Sequence, residues 1–305
     1  MLSSRHLATL FALALTAAAC AARNEDGAAE PRGGRRMALS AVGDSVLYFE
    51  QTGSVATMVA INGDTVESRS NEDEVFLVAR VAPDTLVATY EYMRIRVETG
   101  GRVLPVPTQA LLGRPFVLAE ENGRVRTVRA PELPEESGLR DLTQQFEDFF
   151  MPVPAQPLDI GLIWVDTLRH EEAIGAGGAR RSAVTRYRVT GDTTVHGIEG
   201  RVVSYESALE SVMYGGGGPS DVRTELVGTE TGTIVYSPER RIMLARVRNV
   251  ALEGTVRVES PSGPRELPHW FRFGSSVEAL PAPAAGEPVV PPAAVDSAAT
   301  VRTEH

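Results

Sequence analysis

The sequence predicts a mainly β protein: a curved, half-barrel-like antiparallel sheet, in one or two related halves, with one central amphipathic helix. Three observations carry this expectation. Apolar and polar residues alternate with period two through much of the chain, turn signals interrupt the alternation at hairpin spacing, and one stretch near the middle switches to helical spacing.

The first element is a leader. "MLSSRHLATLFALALTAAAC" has a short basic start at Arg5 and His6, an apolar run from Leu7 to Leu15 and small residues from Thr16 to Ala19. An apolar run that short cannot cross a bilayer as a helix, whereas it suits a secretory signal over residues 1–19. The leader ends at Cys20, the single cysteine of the chain. The body therefore has no thiol for a disulfide, a nucleophile or a cysteine metal site.

Residues 20–38, with "AARNEDGAAEPRGGRR", lack apolar periodicity and read as a flexible tether. Residues 276–305, dominated by Pro and Ala, read as a disordered tail. The β-rich body is expected over 39–275, with halves at 39–131 and 155–275 joined by a helix region at 132–154.

Within the body, "EYMRIRVE" sets Met93, Ile95 and Val97 against Arg94 and Arg96. "TRYRV" sets Tyr187 and Val189 against Arg186 and Arg188, and "MLARVRN" sets Met243, Ala245 and Val247 against Arg246 and Arg248. "NGD" at Asn62, "ENGR" at Glu121 and "TGD" at Thr190 are the expected turns. In "SGLRDLTQQFEDFFMPVP", Leu139, Leu142, Phe146, Phe149 and Phe150 fall at helical spacing, with Ser137 as a cap and Pro152 and Pro154 as the stop. The two halves rest on loose likenesses, "INGDTV" with "VTGDTTV" and "GRPFVLAEENGRV" with "TGTIVYSPERRI".

The formal net charge of -10 opposes nucleic-acid binding, which needs a dominant basic footprint. All 30 basic residues are arginines, so a phosphate loop with its lysine and a Schiff-base lysine are both excluded. "MYGGGGPSD" is followed by Pro219 and a further strand, not by a helix, and reads as a hairpin loop. His170, His196 and His269 lack ligand spacing, the neighbouring acidic pairs point to opposite faces of a strand, and no serine sits in a GxSxG elbow. The expectation is a non-enzyme with no cofactor and no metal.

Two readings of the surface and aromatic residues stay open. The arginines on the strand faces either line one face that binds anionic groups or sit beside cross-strand acids on solvated faces. Phe146, Phe149, Phe150, Trp164, Trp270 and Phe271 either line a groove for an apolar ligand or fill the core between helix and sheet.

The placing of Cys20 resembles the bacterial lipobox, which implies acylation of Cys20 and a membrane anchor; Ala17 departs from the leucine usual there. Ala21 is not the aspartate of inner-membrane retention, so the resemblance implies an exported protein of the cell envelope at the outer membrane. With "GRPFVLAEENGRV", "FFMPVPAQPLDIGLIW" and "VGTETGTIVYSPERRIM", the chain as a whole resembles uncharacterised bacterial lipoproteins, similar in layout to half-barrel carriers of lipids and lipoproteins. This implies a non-catalytic binder of a lipid or hydrophobic small molecule. The alternative is a structural or interaction lipoprotein with an envelope protein as partner and no small-molecule ligand.

Overall fold

The computed structural model describes residues 46–61, 64–132, 145–174, 177–215, 222–259 and 263–280. The leader, Cys20 with its tether, Ser137, Leu139, Leu142, the glycine run at 216–218 and residues 281–305 lie outside these.

The described residues form one open antiparallel sheet of twelve strands. β1 (Val46–Ile61), β2 (Asp64–Ala82) and β3 (Thr85–Thr99) are long, and β4 (Arg102–Val106), β5 (Pro115–Glu121) and β6 (Arg124–Arg129) are short. After a helical turn, α1 (Gln145–Phe149), come β7 (Ile163–Ile174), β8 (Gly177–Val195), β9 (Ile198–Gly215), β10 (Val222–Ser237), β11 (Ile242–Val258) and β12 (Arg265–Leu280).

The strand order is β6-β5-β3-β2-β1-β12-β11-β10-β9-β8-β7, with β4 added beside β3. Each half of the chain is a meander, and the first strand zips to the last from Tyr48↔Leu280 to Val59↔His269. The strands of the second half run 12 to 19 residues, far beyond the usual five or six. Their alternation is clean: Tyr187 and Val189 on β8 are buried while Arg186 and Arg188 are exposed.

Several expectations are corrected. The half-barrel wrapped on a central helix is replaced by an open sheet, and of the one or two halves expected the structure has one, continuous through the β1–β12 ladder. The only helix among the described residues is α1, five residues long, little more than one turn. Phe146 and Phe149 lie on it as expected, but Phe150 already lies beyond it and Met151 to Pro154 continue without helix. The turn expected at "TGD" is an irregularity inside β8, where the register shifts between Val189 and Gly191. The reversal comes later, at His196 and Gly197, both at positive φ (47° and 81°), as a tight two-residue hairpin requires. The turn at Asn122 and Gly123, at φ of 52° and 74°, falls where the sequence set it. β12 extends through Leu280, five residues past the expected end of the body at 275.

An aromatic core holds α1 to the sheet. Phe76 of β2 has four ring neighbours, Phe49 at 5.4 Å, Tyr90 at 5.8 Å, Phe146 at 5.5 Å and Phe149 at 5.1 Å. Phe146 also meets Phe116 at 5.0 Å. Each buried phenylalanine contributes about 1.5–3 kcal/mol, and each ring pair about 0.5–1.5 kcal/mol more. A smaller apolar cluster, Ala183, Leu209, Leu226, Val250 and Leu252, with Leu168, Phe271 and Phe273 packed on it, lies farther along β8 to β12.

The segment through α1 also tends the open edge of the sheet. The Thr127 N–H of β6 donates to Glu147 Oε1 at 2.7 Å, and the Val153 N–H donates to the Gly123 carbonyl at 2.8 Å. No ladder joins β6 to β7, the two outermost strands. Arg124 of β6 instead reaches across to an ion pair with Asp166 and to the Thr167 carbonyl at 3.2 Å, both on β7.

Candidate functional site

The site grows from β10 and β11. Ile242, Met243 and Leu244 are buried in succession, and from Leu244 onward the even-numbered residues face inward, down to Val250 and Leu252. That phase turns Arg246 and Arg248 toward the interior and leaves Val247 half exposed, at 51%. The sequence pattern implied the opposite, with Val247 inward. The difference has a local cause: the register of β10 against β11 shifts between Val235 and Tyr236, next to the β10–β11 turn. The six arginines expected on strand faces therefore do not share one face. Arg94 pairs with Asp73, Arg186 and Arg188 are exposed on the face of β8 opposite Tyr187, and Arg246 and Arg248 point inward.

Arg246 and Arg248 converge on Glu230, which is 5% exposed. Arg246 Nη2 donates to Glu230 Oε1 at 3.1 Å and Arg248 Nη2 to Oε2 at 2.9 Å. Arg248 Nε stands 2.8 Å from Oε1 but off the line of a hydrogen bond. Arg181 of β8 brings Nη2 to 3.8 Å from the same carboxylate. The Tyr205 hydroxyl donates to Glu230 Oε1 at 3.0 Å, and its ring lies 5.8 Å from the Arg246 guanidinium. Phe273 takes Arg248 over its ring at 5.1 Å.

Burial alone would raise the Glu230 carboxyl, but Arg248 and Arg246 outweigh it and hold the group below the ordinary carboxylate value. Burial, then the like charge of Arg246, pulls Arg248 down in spite of Glu230. Tyr205 and Tyr187 are both pushed up, mainly by burial.

Beside this cluster opens a pocket of about 560 Å³, within the range of small-molecule sites. Its walls come from β6, α1 and the residues after it, and β7 to β11. Among the described residues six arginines line it, Arg124, Arg126, Arg169, Arg181, Arg246 and Arg248, with the carboxylates Glu147, Asp166 and Glu230. Phe150, Leu168, Tyr187 and Leu209 supply apolar wall, and Thr185 and Ser207, which share a 2.9 Å hydrogen bond, supply hydroxyls.

The aromatic residues singled out in the sequence separate into three places. Phe146 and Phe149 are buried in the aromatic core, and Phe150 packs edge-on against Phe149 at 4.9 Å while lining the pocket. Trp164 stacks on Tyr187 at 4.9 Å, and Tyr187 continues to Tyr205 at 5.7 Å, so an aromatic row leads from β7 to the Glu230 cluster. Trp270 and Phe271 lie apart on β12, where Phe271 packs on the second apolar cluster. The sequence had no signal for Glu230, because only cross-strand register, with Glu230 opposite Val250 and Gly232 opposite Arg248, brings it diagonally within reach of Arg248 and Arg246.

The histidines do not gather. His170 lines the pocket, His196 sits at the β8–β9 turn with Nε2 3.2 Å from Glu278, and His269 is buried on β12. Among the described residues no group of three His, Cys, Asp or Glu is placed to hold a metal ion. No described helix is long and apolar enough to cross a membrane, which leaves strands aside.

No protein-family model matches the chain, and no curated protein does. Among solved structures, it is similar to lipovitellin, from work on lipid–protein interactions in that protein, at 11% identity and a TM-score of 0.41. That match covers 80% of this chain and 26% of lipovitellin, so the chain spans about a quarter of that protein's length. Outer membrane and surface proteins are also among the neighbours. Neisserial surface protein A shares 7% identity at a TM-score of 0.18, over 76% of this chain and 96% of its own. An outer membrane channel from Pseudomonas putida F1 shares 11% at 0.21, over 79% and 97%.

Proposed function

We propose that the chain is a non-catalytic binding protein of the bacterial cell envelope, tethered through an acylated Cys20, that holds a lipid-like amphiphile between α1 and the sheet. The observation that carries this reading is the pocket of about 560 Å³ with a wall in two parts, charged around Glu230 and apolar at Phe150, Leu168, Tyr187 and Leu209. A site for a purely apolar molecule would not bury two guanidiniums and a carboxylate in its wall, since desolvated charges are costly. A purely polar site would have no use for the aromatic row behind it.

The test is mass spectrometry of an organic extract of the full chain, carrying Cys20→Ala and purified from a bacterial periplasm. One amphiphile class at close to one molecule per chain is the expected result, and Phe150→Ala or Leu209→Ala should lower its occupancy. An extract empty of lipid from several hosts would overturn the binding reading. It would favour instead an envelope lipoprotein that contacts a protein partner, a reading to which the dense packing of Phe146 and Phe149 already lends weight.

A further inference from the structure

This acidic protein gathers arginines in the wall of the pocket. The whole chain carries -10, yet among the described residues six arginines line the pocket with three carboxylates. In that wall three guanidiniums, Arg181, Arg246 and Arg248, lie 2.8 to 3.8 Å from the Glu230 carboxylate. Side-chain exposures of 12% and 15% keep the Arg246 and Arg248 guanidiniums largely out of bulk water, in surroundings where charge-assisted hydrogen bonds are stronger.

Arginine is also the side chain suited to an oxyanion. Its planar fork offers parallel N–H donors that match the oxygens of a phosphate or carboxylate, and it stays charged when partly desolvated. Here Glu230 and the rings of Tyr205 and Phe273 hold the guanidiniums in place, so little side-chain freedom is left to lose on binding. The Thr185 and Ser207 hydroxyls stand on the same wall. From there Leu168, Ala183 and Leu209 lead out of the pocket into the second apolar cluster, toward Val250 and Leu252.

We infer that the pocket is an oxyanion site, with Arg181, Arg246 and Arg248 taking the phosphate- or carboxylate-type headgroup of an amphiphile whose chain runs along the Leu168–Leu209 side. This rests on the binding reading above and narrows it to anionic ligands. The tail accounts for the apolar wall, and the headgroup accounts for the three guanidiniums gathered on one side of it.

The experiment is a calorimetric titration of the full chain carrying Cys20→Ala with three probes: dodecyl phosphate, dodecyl maltoside and inorganic phosphate. Dodecyl phosphate should bind one to one and at least tenfold more tightly than either of the others. Arg181→Gln, at a partly exposed wall position, should weaken it about tenfold, the worth of one charged hydrogen bond, without lowering the thermal midpoint. Equal binding of dodecyl phosphate and dodecyl maltoside would overturn the headgroup assignment and leave the amphiphile reading standing. Equal binding of dodecyl phosphate and inorganic phosphate would keep the oxyanion site but overturn the amphiphile reading. Failure of all three probes to bind would overturn both.

Discussion

Arg246 Nη1 donates to the Phe149 carbonyl at 3.2 Å, tying β11 to the last residue of α1 across 97 positions of sequence. The same guanidinium holds Glu230, so one side chain fastens the covering segment to the sheet and organises the pocket beneath it. Arg246→Met should expose that double role. Loss of one member of a buried charge group costs about 3–5 kcal/mol, moderated here because Arg248 still holds Glu230. The amides of Phe150 to Val153 should exchange with deuterium faster than in the parent chain, by more than those of β8 and β9. Uniform acceleration would mean that Arg246 supports the sheet alone.

Gly123 should accept no side chain. Its φ is 74°, and a Cβ there would come 2.1 Å from the Val153 carbonyl oxygen. Backbone cannot yield as a flexible side chain can, so Gly123→Ala should break the hydrogen bond from Val153 and lower stability by more than about 1 kcal/mol. Urea denaturation measures the loss, and limited proteolysis near Pro154 should report the freed segment.

His269 makes stability depend on pH. Burial holds its imidazole below the ordinary value of 6.5, and neither ring nitrogen has a hydrogen-bond partner in the structure. The folded state therefore resists protonation that the unfolded chain accepts. Stability present above about pH 6.5 is lost as the pH falls through that value, until the folded imidazole itself titrates. His269→Leu should flatten the thermal midpoint between about pH 7 and pH 5, and raise it at neutral pH by removing an unsatisfied buried polar group. An unchanged slope would place the pH dependence elsewhere.

Replacing Cys20 tests the anchor. Cys20→Ala should move the protein from the membrane to the soluble fraction of the envelope, because about 0.8 kcal/mol per buried methylene is lost with each acyl chain. Cofractionation of the variant with membranes would show that attachment does not depend on that thiol.

Strand alternation was legible where one face is solvated, as in "TRYRV" on β8, because period two then maps directly onto burial. It failed on β11, where three consecutive buried residues hide the phase that turns Arg246 and Arg248 inward. The helical spacing of Phe146 and Phe149 was real, and among the described residues the helix stops at Phe149, ahead of Pro152 and Pro154. Glu230 carried no local signal at all. Its partners are assigned by register between strands, a long-range property that composition and spacing do not encode.

The β1–β12 ladder has a consequence for how the chain is made. A polypeptide that emerges amino-terminus first can zip β1 to β6 early, since those contacts are close in sequence. The free side of β1 must then wait for residues 265–280, the last of the described chain, and until they arrive it presents a long row of unpaired N–H and C=O groups. Such an edge invites pairing with other chains. The slow and hazardous step in biogenesis is thus the final closure of that seam, and a chain truncated before β12 should aggregate rather than fold to a smaller sheet.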